Sequence, residues 1–237
     1  MKMQQGTFPV ELAELAAALQ AKSGIFKADQ EALALREEVE SAARIFIFDH
    51  ETQAETFTKA YGIKNALKCC LALLSANIEP VKYENVRDLG CGSGVFGLTF
   101  AFLATNPRLH LTFVDQSPLH LNIAQTVLTD SGCAGDFSFL NQTLPPDLPS
   151  NSELDLISYW FCENGHVASD ASLIDRLIGR EAIIVDYEKV ISGIVDHLPE
   201  HLVVKDRWSV ESDVPLHMRD IVGDESVRSY GIHIVRA

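Results

Sequence analysis

The hydrophobic pattern changes its period along the chain. Up to about residue 80, apolar positions recur at helical spacing and predict helices over 9–22 and 29–44 and a helical stretch over 51–74. Asp29 is placed to cap the second of these helices. The apolar run 44–49 fits either a helix or a strand.

After Val86, short apolar runs alternate with amphipathic segments. Strands are predicted at Val86–Leu89, Leu111–Val114, Phe137–Leu140, Leu154–Trp160, Ala182–Val185, His201–Trp208 and Tyr230–Val235. Helices are predicted between the earlier strands, over about 94–103, 118–130 and 169–178. Alternating strands and helices are typical of a parallel sheet covered on both faces, so the predicted fold class is α/β.

A glycine loop follows the first of these strands. Residues 88–97 read Asp-Leu-Gly-Cys-Gly-Ser-Gly-Val-Phe-Gly, and an apolar helix begins within this run. Glycine lacks a Cβ, so the backbone can turn sharply and a ligand can lie against it, near the free N–H groups of the helix. Gly92 to Gly97 fits a dinucleotide fingerprint. However, the strand ends at Leu89, and Asp88 before the first glycine would repel a pyrophosphate and attract an ammonium group.

The acid and glycines of this loop resemble the first motif of class I S-adenosylmethionine-dependent methyltransferases. Asp88, Gly90, Gly92 and Gly94 reproduce its acid followed by G-x-G-x-G, and Asp115 at the end of the next strand resembles the second family mark. The resemblance implies S-adenosylmethionine as cofactor. The loop would hold its methionine part, and Asp115 would accept hydrogen bonds from the ribose. A nicotinamide dinucleotide site is the main alternative.

The resemblance covers residues 86–237 and implies a Rossmann-like, doubly wound sheet of about seven strands. Most strands of such a sheet are parallel, and the last is antiparallel. We therefore predict two parts, an S-adenosylmethionine-binding domain over 81–237 and a helical cap over 1–80. The cap would cover the mouth of the cofactor site and could also form a homodimer contact.

Further cofactor contacts are expected from polar residues near these strand ends. Gln116 follows Asp115 and could touch the adenine. The third strand ends in Asn141-Gln142-Thr143, where most members of the family carry an acid, so Gln142 and Thr143 are our candidates for the adenine amino group. Tyr61 is a candidate for the cofactor carboxylate. For Gln142 and Thr143, an ordinary polar turn is an equally good explanation. For Tyr61, an ordinary packed tyrosine is an equally good explanation.

The fourth strand ends in an aromatic run, Tyr159-Trp160-Phe161, followed by polar residues up to His166. Aromatic faces attract a sulfonium cation and can wall a small dry pocket. Side chains alternate along a strand, so the three rings cannot all face the site, and whether only Trp160 does so stays open. The predicted catalytic group consists of Tyr159, Trp160, Asn122 and His166, with Glu163 as a second candidate base.

Composition narrows the choice of partners. The formal net charge is −14, which disfavours nucleic acid and anionic membrane surfaces. The five cysteines include no C-x-x-C pair, so neither a disulfide framework nor a metal site is predicted. Neither a signal peptide nor a membrane-spanning apolar run is visible, and a cytoplasmic protein is expected.

Three functions fit these observations. The first is methyl transfer to a small molecule, in secondary metabolism. The second is intramolecular cyclisation of S-adenosylmethionine to azetidine-2-carboxylate and methylthioadenosine, for which Tyr159, Trp160 and Asn122 would fold back the aminobutyrate tail. The third is a non-catalytic S-adenosylmethionine-binding protein that regulates a partner. A deep pocket without room for a second substrate would favour the second function.

Overall fold

The computed structural model describes residues 4–5, 29–42, 50–145, 151–214 and 216–237. The predicted helix over 9–22 and the ambiguous run 44–49 lie outside these ranges. Within them, no helix is long and apolar enough to cross a membrane.

A single mixed sheet forms the centre of the molecule. Its strands are β1 (Gln4–Gln5), β2 (Asn85–Leu89), β3 (His110–Asp115), β4 (Asp136–Asn141), β5 (Leu154–Ser158), β6 (Glu181–Val185), β7 (Leu202–Asp213) and β8 (Ser226–Arg236). They lie in the order β1-β7-β8-β6-β5-β2-β3-β4. Only β8 runs antiparallel to its neighbours, β6 and β7. The predicted α/β class and the antiparallel last strand are confirmed, and the short β1 adds an edge strand that the pattern did not predict.

Five helices of the described residues lie close to their predicted positions, and three more, over 160–163, 188–196 and 219–222, were not predicted. The helices are α1 (Gln30–Ala42), α2 (Glu51–Ser75), α3 (Val95–Ala104), α4 (Pro118–Ser131), α5 (Trp160–Glu163), α6 (Ala171–Leu177), α7 (Glu188–Asp196) and α8 (Arg219–Val222). Short 3-10 turns occur at Pro80–Lys82, Val167–Ser169 and Leu216–Met218. Asp29 does cap α1, since its Oδ1 accepts a hydrogen bond from the Ala32 amide at 2.9 Å.

Each central strand buries side chains on both faces. In β5, Leu156 packs into the core formed with α2, α3 and α4, while Ile157 packs into the core formed with α5, α6 and α7. Ile183 and Ile184 of β6 divide in the same way. Because successive side chains of a strand point to opposite faces, these apolar runs produce a sheet between two helical layers. Helix α2 belongs to the first of these layers.

The carboxyl ends of the parallel strands meet at one edge of the sheet, which we call the carboxyl edge; the opposite one is the amino edge. Strand β7 is parallel to β6, because both are antiparallel to β8. The connection 214–225 between β7 and β8 therefore lies at the carboxyl edge. Arg36 of α1 reaches this connection through an ion pair with Asp224 at 2.9 Å.

Candidate active site

The glycine loop turns the chain from β2 into α3. Gly90, Gly92 and Gly94 have φ values of +65°, +52° and +74°, in the left-handed region that glycine enters without strain. A Cβ on Gly94 would lie 2.8 Å from the Cβ of Ala124, so this position also needs glycine for packing. A Cβ on Gly92 would meet nothing within 4 Å, so this face of the loop is open to a ligand.

Asp88 lies behind this loop and is completely buried. Its Oδ2 accepts a hydrogen bond from the Gly97 amide at 2.8 Å, whereas its Oδ1 is buried without a hydrogen-bond partner among the described residues. Burial raises the pKa of Asp88 to about 7, and the charge of Asp115 adds to this rise. A carboxylate in this setting is strongly favoured by a nearby cation.

Asp115 ends β3 and connects to the loop directly. Its Oδ2 accepts a hydrogen bond from the Gly92 amide and its Oδ1 accepts one from the Ser117 amide, both at 2.8 Å. The Gln142 amide donates to the Asp115 carbonyl oxygen at 3.0 Å, so the end of β4 lies next to Asp115. Gln142 is half-buried, while Gln116 and Thr143 are exposed at the same edge. The structure thus brings the predicted ribose and adenine residues together.

The predicted fourth strand ends earlier than expected. Strand β5 stops at Ser158, Tyr159 has a φ of +56°, and α5 begins at Trp160. The extension of the strand to Trp160 was therefore wrong, because the aromatic run has strand propensity while the backbone turns left-handed at Tyr159. We call residues 159–163 the elbow.

The elbow sends its rings to different places. Phe161 is completely buried in the core. Tyr159 and Trp160 are half-buried and pack against the two opposite core layers. A Cβ on Gly90 would lie only 2.5 Å from Cδ1 of Trp160, so the indole rests directly on the first glycine of the loop. The ammonium of Lys68 lies 4.4 Å from the ring centre of Tyr159.

Two acids stand beside the elbow. Asp186 follows β6 and is 1% exposed, and burial raises its pKa to about 6. Glu163 is exposed at the end of α5, and desolvation, with the charges of Asp115 and Asp186, raises its pKa to about 7. Desolvation and the charge of Asp186 also raise the pKa of the Tyr159 hydroxyl. Perturbed acids at a sheet edge are a common mark of a functional site.

Other predicted site residues lie farther from this cluster or have other contacts. The Tyr61 hydroxyl donates to the Arg36 carbonyl at 3.4 Å, and its ring lies 4.8 Å from that of Phe57. Asn122 is exposed on α4, and His166 is exposed just after α5. These placements do not test the roles predicted for these residues.

The sequence analysis overlooked Asp186 and Lys68. An acid directly after an apolar strand was the signal used for Asp88 and Asp115, and it also applies to Asp186. Lys68 carries no such signal, because it lies on α2, about 90 residues before Tyr159. Among the described residues, no group of three or more His, Cys, Asp or Glu could hold a metal ion.

Comparisons with known proteins agree with this geometry. Residues 60–157 match the model of the family described as methyltransferase small domain. The matched segment contains the glycine loop, Asp115 and most of β5. A comparison with curated proteins gave no match.

Three solved structures illustrate the likeness in fold. Precorrin-6y C5,15-methyltransferase from Geobacter metallireducens GS-15 is 14% identical, with a TM-score of 0.50 over 70% of this chain and 87% of that one. TrmN from Thermus thermophilus is 16% identical, with a TM-score of 0.53 over 73% of this chain and 53% of that one. A putative RNA methyltransferase from Pyrococcus horikoshii is 13% identical, with a TM-score of 0.53 over 97% of this chain and 100% of that one.

The solved structures establish the shared fold, and the family match adds the cofactor loop. Together with the mixed sheet and the acid after β3, they make the chain similar to class I S-adenosylmethionine-dependent methyltransferases, with a methyltransferase small domain over residues 60–157.

Proposed function

We propose that this methyltransferase acts on a small-molecule acceptor that binds at the carboxyl edge, between the glycine loop and the elbow. The observation that carries the proposal is the elbow itself. It rests the half-buried indole of Trp160 on Gly90, with the half-buried Tyr159 directly before it and Glu163, whose pKa is raised to about 7, in the same short helix. Aromatic surface with a few polar groups is typical of sites for small ligands.

The residues around the loop fit the cofactor, which supplies an electrophilic methyl group on a sulfonium. The buried oxygen of Asp88 without a partner suits the cofactor's positive charge, and the open face of Gly92 leaves room for the ligand. We place the methionine part against Asp88, Gly90, Gly92 and Gly94. Asp115 keeps free lone pairs for the ribose hydroxyls while it holds the Gly92 amide.

The remaining cofactor contacts are assigned by their position at the edge. Gln116, Gln142 and Thr143 lie around Asp115 and would contact the adenine. Tyr61 would reach the cofactor carboxylate from α2 by leaving its present hydrogen bond to the Arg36 carbonyl.

For methyl transfer, the chain must align the acceptor with the methyl group and exclude water. Tyr159 and Trp160 offer aromatic faces that favour a sulfonium. Glu163 would take the proton from the acceptor's nucleophilic atom, since a pKa of about 7 suits a general base near neutral pH. Asn122 and His166 are exposed and would assist only after the acceptor has bound.

The charge of the chain supports a small acceptor over a nucleic acid. One fold neighbour is a putative RNA methyltransferase, but a net charge of −14 opposes the approach of a polyanion. Glu163 and Asp186, when ionised, would repel phosphate groups in the same way.

We further propose that residues 1–80 cover the site, while 81–237 bind the cofactor. Within the described part of this segment, Arg36 of α1 is buried and pairs with Asp224, and Lys64 of α2 pairs with the same carboxylate at 2.9 Å. These contacts hold α1 and the 214–225 connection together at the carboxyl edge, where a cover would have to lie. A cytoplasmic location and a homodimer through the N-terminal helices stay predictions.

The first test is to incubate the purified protein with S-adenosylmethionine alone and analyse the small molecules by mass spectrometry. We expect intact cofactor retained by the protein. Panels of amines, phenols, thiols and carboxylic acids, and separately total RNA, are then added and S-adenosylhomocysteine is measured. Turnover with RNA but with no small molecule would contradict the proposal. Methylthioadenosine with azetidine-2-carboxylate in the first step would instead establish the cyclase.

A second test concerns the general base. We expect Glu163→Gln to lower kcat by about 100-fold or more for an acceptor that arrives protonated, without a comparable loss of cofactor affinity. His166→Asn serves as the matched control, because it changes the other candidate base of the same segment. If His166→Asn abolishes turnover and Glu163→Gln does not, the assignment to Glu163 is wrong.

A further inference from the structure

Asp186 joins the end of β6 to the elbow. Its Oδ2 accepts a hydrogen bond from the Cys162 amide at 3.0 Å, and its Oδ1 accepts one from the Tyr187 amide at 2.8 Å. The Phe161 amide also donates to this carboxylate. Since Asp186 is 1% exposed, water does not compete for these bonds. The carboxylate thus caps the first turn of α5 from the neighbouring strand.

The elbow needs such external support. Helix α5 has four residues, which is too short to be stable by itself. It is entered through Tyr159, whose left-handed backbone carries strain that the surroundings must hold in place. The Tyr159 amide donates to the Val185 carbonyl at 2.8 Å, so Val185 holds the chain before this strained residue's turn and Asp186 holds the amides after it.

The elbow in turn determines where Trp160 lies. Trp160 is the first residue of α5, and its indole occupies the space where a Cβ of Gly90 would be. Any rotation of α5 about Tyr159 moves this ring away from the loop. A continuous set of contacts therefore leads from Asp186 through the α5 amides and Trp160 to the backbone of the cofactor loop.

We propose that Asp186 is a positioning residue for cofactor binding, which holds the elbow so that Trp160 packs on Gly90 and keeps the glycine loop in its binding conformation. The role does not depend on which acceptor the enzyme uses. Asp186 acts through Trp160, so its removal is expected to change both the environment of Trp160 and the affinity for the cofactor.

The test compares Asp186→Ala with the wild type by calorimetric titration with S-adenosylhomocysteine. We expect the affinity to fall by about tenfold or more, because buried N–H groups of α5 lose a charged acceptor and the elbow loosens. The position of Trp160 is followed separately by fluorescence. The chain has two tryptophans, so a Trp208→Phe background isolates Trp160. In that background, Asp186→Ala is expected to shift the emission to longer wavelength and to increase quenching by acrylamide.

Asp170→Ala is the matched control. Asp170 also accepts two backbone amide hydrogen bonds at the start of a short helix, α6, but it does not belong to the elbow. We expect this variant to leave the affinity and the Trp160 emission unchanged. Equal losses in both variants, or an unchanged affinity in folded Asp186→Ala, would overturn the proposal. If Asp186→Ala does not fold, Asp186→Asn is measured in its place. It keeps the size of the side chain and replaces one acceptor oxygen by a donor, so the same loss is expected.

Discussion

Each edge of the sheet holds a completely buried aspartate, and the two differ in the partners of their carboxylate oxygens. Asp155 is the second residue of β5 and lies at the amino edge. Its Oδ1 pairs with Nε of Arg87 at 2.7 Å, and its Oδ2 accepts a hydrogen bond from the Gly179 amide at 2.6 Å. Asp88, equally buried, lies at the carboxyl edge of β2 with one backbone donor and one oxygen without a partner among the described residues. The first arrangement stabilises the fold, whereas the second leaves a carboxylate oxygen of Asp88 that a cationic ligand would stabilise.

The same contrast extends to neighbouring acids. Toward the amino edge, the buried imidazole of His233 lies 2.9 Å from Glu181 and 3.5 Å from Asp206. At the carboxyl edge, the charges that act on Glu163 are those of two further acids, Asp115 and Asp186. Acids placed together in a low-dielectric site raise one another's pKa and cost stability. A positively charged cofactor bound at the carboxyl edge would offset this cost.

The largest change in stability is expected from breaking the ion pair between Arg87 and Asp155 at the amino edge. Asp155→Asn leaves the guanidinium of Arg87 without its charged partner, so we expect the free energy of unfolding to fall by about 3–5 kcal/mol. Urea denaturation measures this change. A loss below about 1 kcal/mol would remove the contrast between the edges, because such a value is typical of an exposed pair.

For Asp88→Asn in the absence of cofactor, we expect the free energy of unfolding to rise rather than fall. Because burial raises the folded pKa from 3.8 to about 7, the unfolded chain releases its proton first, and stability falls as the pH rises between these values. The neutral amide avoids this penalty and keeps an oxygen for the Gly97 amide. We expect a gain of roughly 1–4 kcal/mol at pH 8 and little or none at pH 4.

Thermal or urea unfolding at the two pH values checks this gain, and titration with S-adenosylmethionine checks its cost in function. We expect the variant to bind the cofactor about tenfold more weakly or worse, because a charge-assisted interaction with the cation is lost. A variant that is less stable at pH 8 would show that Asp88 is a structural acid like Asp155.

A smaller effect is expected at Asp115, which serves both the fold and the ligand. Asp115→Ala removes the charged acceptor proposed for the ribose and frees the Gly92 amide. Cofactor binding should weaken by about 1–3 kcal/mol, as measured by calorimetric titration. Unchanged affinity would mean that the ribose site lies elsewhere.

The features that the sequence predicted correctly depend on local signals, and those that it missed depend on contacts between distant parts of the chain. Strand ends were predicted to within one residue for β2, β3 and β4, because their apolar runs and turns are local signals. The end of β5 was predicted wrongly, since aromatic residues favour a strand and nothing local announces the left-handed Tyr159. Its turn depends on hydrogen bonds that the Tyr159 and Cys162 amides donate to Val185 and Asp186, some 25 residues later.

The candidate site divides likewise. Asp88, the glycines and Asp115 could be found from their spacing, because a strand, a tight turn and a helix N-terminus bring them together through the local chain path. Only the tertiary structure decided that Trp160 rests on Gly90, that Asp186 accepts hydrogen bonds from the elbow and that the charges of Asp115 and Asp186 act on Glu163. Those relations depend on burial and on through-space distances between separate strands, which no local pattern of residues encodes.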